Sequence, residues 1–201
     1  MQKIKILHLI KTLNLGGAEV NLFNLAQVID AGQFEIHAGY SSGGELEEKF
    51  RKSGIKLFKF AQGNHKLKSL ATPVIILRLV RYILVNRIQI IQTHNFNTHV
   101  WGLIAAKLTG IKIIEHVHDF RYLEPVEYKR RRGATQQFKY IKYFKRMSDL
   151  VIVLTGQNYD FLINNKFYDK NYIRRIPNGI SITGKAEFSA ELKQLLKQKL
   201  D

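Results

Sequence analysis

The chain of 201 residues contains no cysteine. Disulfide scaffolds, thiolate zinc sites, iron–sulfur clusters and thiol nucleophiles are excluded together, and the composition suits a reducing compartment such as the cytoplasm. Acidic residues are scarce: 16 Asp and Glu stand against 32 Lys and Arg, a formal charge of +16. The few carboxylates are scattered, with no pair set up for acid–base hydrolysis. Long apolar runs are missing too. The most apolar stretch, residues 74–85, is broken by Arg78 and Arg81 and falls short of the roughly 20 residues that cross a bilayer. Residues 1–15 carry Lys3, Lys5 and Lys11 inside their apolar run without a small-residue cleavage site, so no secretory leader is expected. Three motifs are also absent: the three-glycine dinucleotide fingerprint with an acid ending strand two (Tyr40-Ser41-Ser42 stands there), the phosphate loop ending Gly-Lys-Ser/Thr, and the Gly-x-Ser-x-Gly elbow. NAD dehydrogenases, P-loop NTPases and elbow-type hydrolases are thereby set aside.

What is present is globular: 45% hydrophobic and 24% charged residues, enough to bury a core without a staple. Short apolar runs alternate with amphipathic segments. Residues 4–10, 34–40, 56–60, 88–93, 112–117, 150–154 and 172–176 read as strands, several apolar on both faces as in a buried parallel sheet. Helices are expected between them. The first follows Gly16-Gly17 and ends toward Gly32; others span 45–52, 98–108, 136–147, 157–165 and 187–200. One more opens at Thr72-Pro73, read as N-cap and first helical residue. Gly54 and Gly110 are placed to close two of them. The pattern predicts an α/β, doubly wound, Rossmann-like domain with a mostly parallel sheet of about seven strands. Ligands in such sheets sit outside the carboxyl ends of the strands, and that rule selects the candidate residues.

The first strand–helix turn, Leu15-Gly16-Gly17-Ala18-Glu19, brings backbone N–H groups and a helix N-terminus to that edge. It reads either as a cradle for a phosphate or sugar or as a plain tight turn. His94 ends the fourth strand in Thr93-His94-Asn95, and His118 ends the fifth in Glu115-His116-Val117-His118-Asp119. A histidine hydrogen-bonding a sugar hydroxyl or a developing charge is the favoured reading. A zinc site from His94, His116, His118 and Asp119, serving a metal-dependent hydrolase, is the lesser one. His8 and His116 read as satisfied core histidines. Two basic clusters complete the set: Lys66 and Lys68 with Arg78 and Arg81, and Lys129, Arg130, Arg131 and Arg132 before an aromatic and basic helix. Such faces suit an anionic lipid surface or a phosphate-bearing substrate; the alternative is a non-catalytic basic module for anionic lipid or nucleic acid.

The run of residues 5–10 followed by Leu15-Gly16-Gly17-Ala18-Glu19 resembles the opening of family-4 glycosyltransferases. Thr93-His94-Asn95 with residues 101–107, His116-Val117-His118-Asp119, residues 149–155, and Ile176-Pro177-Asn178-Gly179-Ile180 resemble further elements of that family, in family order. Asp119 stands where a glycine is common in the family, Thr155 where a serine is, and Ser181 where an aspartate is. The resemblance implies the N-terminal, acceptor-side half of a retaining enzyme of the two-domain GT-B architecture. Residues 1–181 would form that domain, and 182–201 a linker and C-terminal helix. The nucleotide-sugar-binding second domain, with its two glutamates eight residues apart, is absent, so the chain alone is expected to be inactive. Gly16 and Gly17 would face the donor diphosphate and the acceptor, and His118 would act at the reaction centre. His94, Asn95 and Asp119 would line the acceptor side, and the basic clusters would hold a lipid phosphate or the membrane. No cofactor and no obligate metal are implied. The implied partners are a nucleotide sugar, a glycan or lipid-linked acceptor and an anionic membrane surface, without nucleic acid. The implied place is the cytoplasm, peripheral to the inner face of a membrane, in cell-envelope or capsular polysaccharide synthesis.

Overall fold

The computed structural model describes residues 2–61, 68–118 and 147–179, with the backbone alone at 68–71, 96 and 97. Seven strands, β1 (Ile4–Thr12), β2 (Phe34–Ser42), β3 (Lys56–Lys59), β4 (Ile90–Thr93), β5 (Lys112–Val117), β6 (Leu150–Val153) and β7 (Ile173–Arg175), form one sheet in the order β3-β2-β1-β4-β5-β6-β7. Every neighbouring pair is parallel. The helices are α1 (Gly17–Val28), α2 (Glu47–Lys52), α3 (Lys68–Asn86), α4 (Phe96–Thr109) and α5 (Gly156–Asn164), with a short 3-10 turn at Lys170–Tyr172.

Both faces of the sheet are covered, which is why its central strands are apolar throughout. On one face Leu7, Leu9, Ile91 and Ile113 pack against Leu79 and Ile83 of α3 and Leu103 and Ala106 of α4. On the other, Ile10, Ile36, Ala38 and Tyr40 meet Leu22 of α1 and Phe50 of α2. Each fully buried Leu, Ile or Phe of this kind contributes roughly 1.5–3 kcal/mol. A third cluster, Val117, Val151, Val153, Leu162 and Ile173, seats α5. Gly110 closes α4 in the left-handed conformation, φ 71°, with its N–H on the Ala106 carbonyl. Thr155 caps α5, its Oγ1 accepting from the Asn158 N–H at 3.1 Å.

Two features differ from the sequence reading. The helix placed at Thr72-Pro73 begins at Lys68, and Pro73 lies inside it. Proline forfeits its own N–H bond, but the buried stripe Ile75, Leu79 and Ile83 beyond it anchors the helix and lets one more turn form ahead of the ring. The first helix ends at Val28, and the chain turns through residues 31–33, where the Asp30 carboxylate accepts from the Gly32 N–H at 2.8 Å. The helices expected at 136–147 and 187–200 and the division at 181 lie outside the described residues, apart from Met147, which is not helical. No described helix is long and apolar enough to cross a membrane.

Gly102 sets how closely α4 lies on the sheet. A Cβ there would stand 2.7 Å from Thr93 Cγ2 and 3.0 Å from Leu9 Cδ1. Gly102→Val is therefore expected to lift α4 off β1 and β4, at a cost of about 1–3 kcal/mol and a drop of about 3–10 °C in thermal midpoint. An unshifted melting curve would show that the helix can slide aside.

Candidate functional site

The chain leaves β1 toward β2 on one side, while β4 lies on the other. This is the point where strand order reverses, the place at the carboxyl edge, outside the ends of the strands, where parallel sheets of this kind take their ligands. Gly16, Gly17, His94, Asn95 and His118 all lie at that edge, as the sequence predicts. Gly16 is the extended N-cap of α1. A Cβ on it would stand 2.5 Å from Glu19 Oε2. Glu19, 9% exposed, lies in the first turn of α1 with Oε1 3.5 Å from Thr12 Oγ1. The glycine thus makes room for the chain's own carboxylate, which the positive end of α1 favours.

Four imidazoles converge at the ends of β1, β4 and β5. His8 Nδ1 lies 3.0 Å from His94 Nε2, and His94 Nδ1 lies 2.8 Å from His118 Nε2. The result is one hydrogen-bonded chain from β1 across the end of β4 to the end of β5. His116 bonds Gln92 Nε2 through Nδ1 at 3.1 Å, and its ring lies 4.0 Å from that of His118. His8 and His94 are buried, His116 is nearly so, and His118 is half-buried. Burial is the first cause of every shift in the cluster. It takes His8 and His116 down to about 3 and His118 to about 4. It also lowers His94, whose charge the neighbouring rings oppose further. All four rings are neutral at pH 7. A ring as weakly basic as His118 makes a poor general base there, so its chemistry is that of a fixed hydrogen-bonding dipole.

The expectation that His8 and His116 are satisfied core residues holds for one nitrogen of each. The Nε2 atoms of both are buried without a partner. His94, His116 and His118 each bring a ring nitrogen within 4.8 Å of the other two, the trio among the described residues that could approach a metal. The geometry fits one poorly. Zinc ligands at 2.0–2.1 Å stand roughly 3.3 Å apart with the metal in each ring plane. Here two of the nitrogens share a proton at 2.8 Å, and the His116 and His118 rings face each other at 34°.

Asn95 joins the site to the frame: its Oδ1 accepts from the Lys11 N–H of β1 at 2.8 Å, and its own N–H donates to Thr98 Oγ1. Arg78 donates to the Phe60 carbonyl at 3.2 Å, and Arg81 is exposed on α3. Lys68 opens that helix. Lys66, Asp119, Lys129, Arg130, Arg131 and Arg132 lie outside the described residues. Sequence reasoning missed a second polar network behind the histidines. Thr93 Oγ1 meets His99 Nδ1 at 2.9 Å, His99 Nε2 lies 3.4 Å from Glu115 Oε2, and the Tyr168 hydroxyl donates to the same oxygen at 2.8 Å. His99 falls five residues after His94, in the early turns of α4, and that was the available signal. The cavity between the two networks is only about 10 Å³, room for no more than about one water. A larger hollow of about 750 Å³, lined by Ile163, Phe167, Tyr168 and Tyr172, opens ahead of β7 at the amino edge. Among the described residues, none of the four clustered histidines lines it.

Residues 15–183 match the model of Glycosyltransferase Family 4. The chain belongs to this family. This family-4 chain is 22% identical, over 182 residues and 90% of its length, to the UDP-Gal:alpha-D-GlcNAc-diphosphoundecaprenol alpha-1,3-galactosyltransferase of Escherichia coli, of which the match covers 46%. Anabaena Alr3699/HepE, solved in complex with UDP and glucose, shares the fold with a TM-score of 0.70 at 21% identity, over 96% of this chain and 50% of that one. A glycosyltransferase from Rickettsia africae gives 0.68 at 17% identity, over 99% and 50%. The family-4 chain spans about half the length of the relatives it matches.

Proposed function

We propose that this chain is the acceptor-side half of a retaining glycosyltransferase. It would move a sugar from a nucleotide-sugar donor to a glycan or lipid-linked acceptor in cell-envelope or capsular polysaccharide synthesis. The observation that carries the reading is the neutral His118, held by a buried imidazole chain at the same carboxyl edge from which the Gly16-Gly17 turn leaves β1, in a chain of this family. His118 offers a polar ring atom to the donor sugar and to the charge that develops as the bond to the diphosphate breaks. Gly16 and Gly17 face the diphosphate and acceptor, while His94, Asn95 and Asp119 shape the acceptor side. The positioning of two substrates supplies most of the rate, and no metal is required. A second, nucleotide-binding domain reached through residues 182–201 completes the donor site. The Escherichia coli and Anabaena relatives, named for UDP-galactose and solved with UDP, support a uridine nucleotide as carrier.

The test is transfer of label from UDP-galactose, UDP-glucose or UDP-N-acetylglucosamine to a lipid-extractable saccharide by the protein joined to its second domain. Transfer with an α-linked product from an α-linked donor is expected. Failure with every nucleotide sugar, or inversion, overturns the reading.

The same proposal puts the protein on the inner face of the cytoplasmic membrane. α3 carries Val74, Leu77, Leu84 and Val85 exposed on the side that also presents Arg81. Mixed apolar and cationic surface of this kind is attracted to anionic lipid. Leu77→Asp with Arg81→Glu is expected to cut co-sedimentation with phosphatidylglycerol vesicles at least fivefold, and unchanged co-sedimentation would remove α3 from the contact.

A further inference from the structure

His8 has no role in the function proposed above and His94 only shapes the acceptor side, yet both rings are almost completely buried. A neutral imidazole has one N–H and one lone pair. Two hydrogen bonds in series through three such rings therefore have a direction, and it runs either outward from His8 or inward from His118. In the outward order His8 Nδ1–H donates to His94 Nε2, His94 Nδ1–H donates to His118 Nε2, and His118 is left with its N–H on Nδ1. In the inward order every proton sits on Nε2, and His118 presents a bare Nδ1.

The buried end decides between them. His8 lies within β1 on the face that carries Ile6 and Ile10, by the two-residue period, and its Nε2 has no partner. The inward order would put an N–H at that buried atom without an acceptor. Orphaned buried N–H groups are rare in folded proteins. The outward order leaves only a lone pair there. We propose that His8 and His94 are positioning residues that fix His118 as the Nδ1–H tautomer, so that it meets the cleft as a hydrogen-bond donor. Burial supports this by keeping all three rings neutral, since a proton added anywhere in the chain would break its direction. The tautomer follows from the fold alone; its use in sugar transfer rests on the function proposed above.

An unconstrained histidine side chain mildly favours Nε2–H, so the outward order departs from the default and is diagnostic. In ¹⁵N-histidine-labelled protein at neutral pH, long-range ¹H–¹⁵N spectra should show His118 with a protonated Nδ1 and a pyridine-type Nε2, assigned by the signals lost in His118→Ala. A protonated Nε2, or an averaged pair of shifts, overturns the proposal without any variant. His8→Phe removes the first donor and should move His118 toward Nε2–H. His8→Asn, whose amide N–H stands near the position of imidazole Nδ1–H, should restore the wild-type shifts. In transfer assays of the two-domain enzyme, His8→Phe should lower kcat about tenfold with the donor KM within twofold, and His8→Asn should recover most of it. Should the tautomer move as expected while kcat stays put, the chain of rings stands and the donor role of His118 falls. Should kcat fall while the tautomer stays put, the positioning role falls instead.

Discussion

His118→Ala should lower kcat of the two-domain enzyme about 10²–10³-fold, the usual cost of removing one preorganised donor aimed at developing charge, with the donor KM nearly unchanged. His118 follows the last residue of β5 and is half-buried. The loss should therefore appear in catalysis rather than in folding, with an unaltered circular dichroism spectrum. The ring's depressed pKa of about 4 adds a second expectation. Because His118 stays neutral through pH 5, kcat should show no acid limb near 6.5, where an ordinary histidine titrates. His118→Asn keeps an N–H near the Nδ1 position and should run at least tenfold faster than the alanine variant, whereas His118→Gln, which reaches toward His94 instead, should not. A loss under fivefold in His118→Ala would move the chemistry to another group on the same edge.

The sequence was most legible where local chemistry and tertiary demand coincide. Continuous apolar runs marked the strands because both faces of the sheet are covered, and Gly110 marked a helix end because the chain turns there in the left-handed conformation that glycine adopts freely. The positions of His94 and His118 followed from one rule about parallel sheets, without knowledge of any contact. Thr72-Pro73 misled because a proline signal describes the turn it sits in, whereas the packing of Ile75, Leu79 and Ile83 decides how far the helix extends. Pairings across the sheet were out of reach. Nothing local reveals that His8 meets His94 across 86 residues, or that Tyr168 meets Glu115 across 53. A lone polar residue inside the apolar run of β1 was the clue to His8. It also explains why a satisfied core histidine was the natural reading: burial was read correctly, and the bonded neighbour was not.

Burying four neutral imidazoles makes the fold sensitive to mild acid. The unfolded chain binds a proton at each histidine as pH falls through about 6.5, whereas folded His8 and His116 bind theirs only near 3 and His118 near 4. Between these limits the unfolded state holds more protons, so stability rises with pH across the window and is lost on acidification. Above pH 7 the rings are neutral in both states and add no slope. Each unit of separation is worth about 1.4 kcal/mol per ring, so the cluster's loss by pH 5 is on the order of several kcal/mol, a large part of the roughly 5–15 kcal/mol that holds a domain together. The thermal midpoint should fall by about 10 °C or more between pH 6.5 and 5. Carboxylates cannot account for a fall in that range. Glu35, held at about 2 by Lys56 and also by His37 and Lys5, and Asp149, lowered by Lys112, lose their contribution only as pH drops below about 4.5. His8→Phe should remove one ring's share of the slope from about pH 6.5 down to about 3 and leave the carboxylate contribution below about 4.5 in place. A midpoint that is level from pH 6.5 to 5 would mean that the rings accept protons without leaving the core, and the neutral cluster would have to be abandoned.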